Sequence, residues 1–170
     1  MRMQAAAMVL GMLATVTASA GEAAPDGKAA FERLKTLAGD WEGHIEKPDG
    51  PPGMASYRVA SGGSVVMETL FPGSDHEMIS MYHLDGGRLV MTHYCAMANQ
   101  PRMRLASASD AELRFDFDGG TNLDPQTSTH VHSGRLAFVG PDRLEAEWHV
   151  YSAGKQSGSN RFFLRRKTAR

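Results

Sequence analysis

Gly140-Pro141-Asp142-Arg143-Leu144-Glu145-Ala146-Glu147-Trp148-His149-Val150-Tyr151 is the stretch that decides the fold. It opens on turn-forming residues and then alternates. Leu144, Ala146, Trp148 and Val150 fall on one face, and Glu145, Glu147, His149 and Tyr151 on the other. Successive side chains of a strand point to opposite faces of a sheet, so this period of two marks a half-buried antiparallel strand with Trp148 turned inward and His149 outward.

The same pattern repeats through most of the chain. Strands are predicted near 41–47, 54–61, 64–71, 76–84, 88–97, 102–108, 112–117, 128–139, 143–151 and 158–166. Between them lie Pro48-Asp49-Gly50, Gly62-Gly63, Pro72-Gly73-Ser74 and Asp85-Gly86-Gly87, all turn chemistry. About ten short strands at regular spacing, with almost no helix, predict an all-β sandwich or closed barrel. One helix precedes them: Asp26 can cap it, Ala30, Phe31, Leu34 and Leu37 recur at helical spacing, and Gly39 ends it.

Residues 1–20 read as a signal peptide, with Arg2 as its positive start, an apolar run, and Ala18-Ser19-Ala20 as the small-residue cleavage pattern. Residues 21–170 then form a single domain, expected in the periplasm or secreted. No cysteine stands directly after the apolar run, so no lipid or membrane anchor is expected. The formal net charge of −1 offers no footprint for nucleic acid. Cys95 is the only cysteine, which rules out an internal disulfide, and no lysine or arginine lies within five residues of it to favour a thiolate. It reads as a buried strand residue.

The helix leading into Gly39-Asp40-Trp41 resembles the beginning of lipocalin-type barrels. There a tryptophan plugs the closed end and stacks on an arginine from the last strand, which implies that role for Trp41 with Arg165 or Arg166. The resemblance selects a lipocalin-like antiparallel β-barrel of about ten strands with a short N-terminal helix.

The densest polar cluster is Thr92-His93-Tyr94-Cys95-Ala96-Met97-Ala98-Asn99-Gln100-Pro101-Arg102-Met103, placed where an apolar strand ends. Leu89, Met91, His93 and Cys95 share one face, and Val90, Thr92, Tyr94 and Ala96 the other, and alternation leaves open which is inward. Asn99 and Gln100, in a predicted turn running to Arg102, can hold a polar ligand group or pin a strand end, and Asn122 can join them. Counting back by twos from Phe138 and Leu136 puts Gly134, His132 and His130 on the inner face, unless a bulge at Gly134 reverses the phase. Glu68 lies in a strand that otherwise reads as buried, where an unpaired carboxylate is costly, so a partner is expected in Arg102, Arg104 or a histidine.

Candidate ligand contacts are therefore Glu68, His93, Tyr94, Asn99, Gln100, Arg102, Asn122, His130, His132 and Trp148. His93, His130 and His132 are the only candidates for a metal, but their spacing is no zinc signature. No metal, haem or other cofactor is expected. Apolar residues on both faces of strands 64–71 and 76–84 predict a covered outer surface and a homodimer.

Leu37 to Gly43, Val66-Met67-Glu68-Thr69-Leu70-Phe71-Pro72-Gly73, Glu77 to His83 and the block Thr92-His93-Tyr94-Cys95 with Asn99-Gln100-Pro101 resemble a family of small exported bacterial proteins of unknown function with a lipocalin-like, calycin-type fold. The resemblance implies a pocket but no ligand or reaction. The expected function is binding of a small, partly apolar molecule. The alternative is a barrel enzyme using Glu68 with His93, His130 or His132 for acid–base or metal-assisted chemistry.

Overall fold

The computed structural model describes residues 25–168. The predicted signal peptide lies outside the described residues. One helix and ten strands follow in order: α1 (Gly27–Lys35), β1 (Gly39–Ile45), β2 (Pro52–Ala60), β3 (Val65–Leu70), β4 (Met78–Asp85), β5 (Arg88–Tyr94), β6 (Gln100–Ala108), β7 (Glu112–Thr121), β8 (His130–Gly140), β9 (Arg143–Ser152) and β10 (Lys155–Arg166). Each strand pairs antiparallel with its neighbours in sequence, and β1 pairs with β10 to close the barrel. Closure removes every free sheet edge.

The helix is set by its cap. The Asp26 carboxylate accepts from the backbone N–H of Lys28 and Ala29 at 2.9 and 3.1 Å. Ala30, Phe31 and Leu34 then face the barrel. The helix stops at Lys35, short of Gly39, and Leu37 is buried in the connection, where its carbonyl accepts from Trp41 Nε1 at 2.8 Å.

Trp41 plugs this end, and the arginine over its ring is Arg166, not Arg165. The register explains the choice. Trp41 lies directly opposite Arg166, whereas Arg165 points outward and pairs with Glu42 at 2.7 Å. The Arg166 guanidinium sits 4.5 Å from the indole centroid and donates to the carbonyls of Ala38 and Thr36, satisfying groups that the helix end leaves open.

Several strand limits differ from expectation: β7 runs on to Thr121 instead of ending at 117, β10 starts at Lys155, and the limits of β5 and β6 matter most for the site. β5 ends at Tyr94, and the turn is Cys95–Asn99, held by Cys95 N–H to Asn99 O and Ala98 N–H to Cys95 O. Gln100, Pro101 and Arg102, expected in a turn, begin β6. The apolar residues predicted on both faces of β3 and β4 divide accordingly: Val66, Leu70 and Tyr82 are buried, while Val65, Met67, Ile79 and Met81 are half-buried.

Candidate functional site: the open mouth and the polar row beneath it

Since α1 and Trp41 close one end, the other end is the mouth. Five connections rim it, and each contains one non-glycine residue in the left-handed region: Glu46, Phe71, Ala98, Asn122 and Ala153. Ser61, in the β2–β3 connection at the closed end, is left-handed too, so these positions belong to the tight turns of both ends. Inside the rim is a cavity of about 230 Å³. Its wall is mostly apolar, with Leu70, Phe71, Met78, Met91, Val131 and Phe162, while Glu46, His93, Trp148, Asn160 and Arg161 bring polar atoms to it.

Directly below, one polar residue from each of four adjacent strands forms a continuous row. Tyr57 of β2 lies opposite Glu68 of β3, Glu68 opposite Ser80 of β4, and Ser80 opposite His93 of β5. All four are buried. Tyr57 donates to Glu68 Oε1 at 2.5 Å and Tyr82 donates to Oε2 at 3.0 Å, with the Ser80 hydroxyl also in reach. Ser80 Oγ and His93 Nδ1 are 3.0 Å apart.

Glu68 therefore has hydroxyl partners rather than the arginine or histidine expected. Arg102 and Arg104 lie on the outer face of β6. Arg102 pairs with Asp85 at 3.0 Å and Asp118 at 3.7 Å, and Arg104 with Asp118 at 3.2 Å. Alternation accounts for this, because Pro101, Met103 and Leu105 take the inner positions. Burial pushes the Glu68 carboxyl above its usual range, while the hydroxyl donors pull it back. Burial also raises Tyr57 and Tyr82 well above the ordinary phenol value, and the Glu68 charge adds to it. The row's cavity end behaves oppositely. Burial lowers His93 to about 4, so its imidazole is neutral at pH 7.

The phase of β5 is now settled: His93 and Cys95 line the cavity, whereas Tyr94 is half-exposed on the outer side. The Cys95 thiol, only half-buried at the rim, is pushed up chiefly by burial and stays protonated.

His130 and His132 are not on the cavity wall. The bulge that removes them is at His132, not Gly134: Val131 opposes Val150 and Ser133 opposes His149, leaving His132 as the extra residue. Val131 consequently takes the inner position. His132 stacks between Phe117 and Tyr151, with centroids 4.7 and 3.9 Å away, and its Nδ1 is 3.0 Å from Nε2 of the fully buried His130. His130 Nδ1 donates to the Ser128 carbonyl at 2.9 Å. The three candidate histidines thus do not converge, and no metal-binding group of three or more His, Cys, Asp or Glu occurs among the described residues.

Asn99, Gln100 and Asn122 are brought together at the rim. Asn99 Nδ2 donates to Thr129 O at 2.8 Å, and Asn122 Nδ2 donates to Gln100 Oε1 at 2.9 Å. These bonds tie the β5–β6 turn to the β7–β8 loop. Trp148 faces inward as expected, lying over Gly134, where any side chain would collide with its ring. Its indole N–H is buried and has no acceptor.

The sequence reading passed over Tyr57, Ser80 and Tyr82. The signal was present: each shares strand phase with apolar neighbours two residues away, such as Ala55 beside Tyr57 and Met78 beside Ser80. A polar residue in an inward series is a buried one in want of partners.

No protein-family profile matches the chain, and no curated protein matches it significantly. Among solved structures it is similar to a protein of unknown function from the DUF3598 family of Nostoc punctiforme, with a TM-score of 0.51 and 13% identity. That match covers 79% of this chain and 49% of the other, so the chain spans about half the length of that protein. At this identity the likeness concerns the fold alone.

Proposed function

We propose that this chain is an exported carrier of the lipocalin-like kind, holding one small, partly apolar molecule in the mouth cavity. The observation that carries the reading is the cavity at the open mouth, walled mostly by Leu70, Phe71, Met78, Met91, Val131 and Phe162 with the neutral His93 among them. The cavity of about 230 Å³ also sets the ligand's size. A dry cavity of roughly 150 Å³ accommodates benzene, so one or two fused rings fit here, and a longer chain would have to project through the mouth.

The chain has two tryptophans, Trp41 at the plugged end and Trp148 in the cavity. In a Trp41→Phe background, emission therefore reports on the cavity. Small aromatic compounds are expected to quench it saturably and to raise the melting temperature, and native mass spectrometry of freshly purified protein is expected to show a retained ligand. Unchanged emission and melting across such a panel, with an empty native mass, would overturn the carrier reading.

A further inference from the structure

Sulfur and imidazole donors crowd one side of the mouth cavity: Met78, Met91, His93, Cys95 and Met97 all line it. We infer that the wall formed by β4 and β5 binds one soft monovalent metal ion of the Cu(I) class, held by Cys95 Sγ, His93 Nε2 and the Met78 thioether. The inference goes beyond the carrier reading and stands on different atoms of the cavity.

Register brings three of these donors together. Met91, His93 and Cys95 alternate along β5 and into its turn, so they share the inner face. Ile79 lies opposite Tyr94 and Ser80 opposite His93, so one more step of the ladder places Met78 opposite Cys95. Directly opposed residues have Cβ atoms about 5 Å apart, and diagonal or same-face neighbours stand about 7–8 Å apart. Cys95, Met78 and His93 thus mark a triangle that their side chains can close around one ion. Met91 beyond His93, and Met97 in the turn, flank it with further thioethers. His93 is only 5% exposed, yet its Nε2 has no hydrogen-bond partner among the described residues and, unlike the sealed Trp148 Nε1, keeps accessible surface. With a metal on Nε2 the ring proton sits on Nδ1, and Ser80 Oγ, 3.0 Å away, accepts it. That bond orients the ring whatever the charge on Glu68.

The donor set selects the ion. Thiolates and thioethers are soft ligands that favour Cu(I), whereas carboxylate and carbonyl oxygens suit harder ions. The oxygen and guanidinium groups of the cavity stand elsewhere on the ring. Glu46 is exposed in the β1–β2 connection, Asn160 is on β10, across the barrel from β5, and Arg161 turns outward to Glu147 at 2.9 Å. The Cys95 thiol is half-buried at the rim, open to an arriving ion. Binding breaks its S–H bond, forms a metal–thiolate bond and sends the proton to water, with no electron transferred. A monovalent ion and one thiolate sum to zero, so no net charge enters the mostly apolar wall. A divalent ion would leave one charge uncompensated there, which is costly.

Two probes test this on the purified protein: Cu(I) supplied without oxygen, and Ag(I), which shares its ligand preference and resists oxidation. Native mass spectrometry is expected to show one ion per chain, retained against a large excess of a small monothiol that would strip an ion held by Cys95 alone. Zinc is expected not to displace it. Carbon NMR of methyl-labelled methionines should show the Met78 signal shifting with the first equivalent. Cys95→Ser should abolish retention. Met78→Leu conserves volume, so the barrel is expected to fold while probe affinity falls at least about tenfold. Ser80→Ala, which only frees the imidazole, should cost about 10- to 100-fold. Met54→Leu, at an exposed methionine outside the cavity, should change nothing. If the monothiol strips the ion, if zinc displaces it, or if Met78→Leu behaves like Met54→Leu, the metal site falls while the carrier reading stands on its aromatic compounds. If the ion is held and no aromatic compound binds, the carrier reading falls and the metal site stands.

Discussion

The barrel has two unlike halves. From β1 to β5 every ladder runs without a register shift, and this half carries the row Tyr57–Glu68–Ser80–His93. From β6 to β10 the ladders are interrupted between Pro101 and Met103, Leu105 and Ser107, Val131 and Ser133, Phe138 and Gly140, and Gln156 and Gly158. In the regular half, four polar groups line up because strict alternation keeps each directly opposite the next. In the bulged half, an extra residue re-aims side chains, so His132 leaves the inner face for an aromatic stack and Val131 replaces it at the cavity.

Single-residue deletions test that contrast most severely. Deleting Met81 from β4 would turn either Tyr82 and Leu84 or Met78 and Ser80 out of the barrel, so no folded protein is expected, as read by circular dichroism and size exclusion. Deleting His132 removes the residue that has no ladder partner, so the barrel is expected to fold. The cost would be the lost stacks on Phe117 and Tyr151, about 0.5–1.5 kcal/mol each. If both deletions unfold the protein, the bulge is no spare residue and the two halves are equally strict.

Within the regular half, Tyr57→Phe takes one donor from the buried carboxylate. Leaving a buried polar partner unsatisfied costs about 1–3 kcal/mol, and a loss of that size in chemical denaturation is expected. Tyr82→Phe should behave similarly, and the double variant should depart from additivity because both act on one carboxyl group.

Glu68→Gln sharpens the contrast through pH. The folded-state pKa of Glu68 lies above its ordinary value of 4.5, so the native state binds the proton more readily than the unfolded chain. The stabilisation this gives is fully present below the ordinary value and fades as pH rises through the folded one. The advantage of wild type over Glu68→Gln should therefore shrink between pH 4 and pH 8 in urea titrations. An advantage that grows with pH would mean a carboxyl held low instead. His93 contributes in the opposite sense, its stabilisation being present above 6.5 and lost as pH falls toward 4, but both proteins retain it.

The smallest effect is expected on the outer face of the bulged half. Arg102→Ala removes two half-exposed ion pairs, to Asp85 and Asp118, and should change stability by no more than about 1 kcal/mol and leave probe affinity unaltered. A large loss of affinity would return Arg102 to the binding site.

Much of the architecture was legible in the chain. All ten strands, the helix and its Asp26 cap follow from alternation, turn residues and capping chemistry, which act over a few neighbouring positions. Some bulges were marked as well, since Pro101, Gly140 and Gly158 sit beside three of the five shifts and neither residue type suits an unbroken ladder. Nothing local marks His132 as the extra residue, and nothing distinguishes Arg166 from Arg165 except which of them falls opposite Trp41.

The sequence by itself determined about ten antiparallel strands with an inward Trp148, because strand phase and turn chemistry are local properties, and the resemblance of its Gly39-Asp40-Trp41 entry to lipocalin-type barrels selected a closed barrel over a sandwich. Only the tertiary structure decided that Glu68 is answered by Tyr57, Tyr82 and Ser80, that His93 faces the cavity while Tyr94 does not, and that His130 and His132 form a cluster of their own. Those facts depend on register between strands, and register is set by the closing of the whole ring rather than by any one segment.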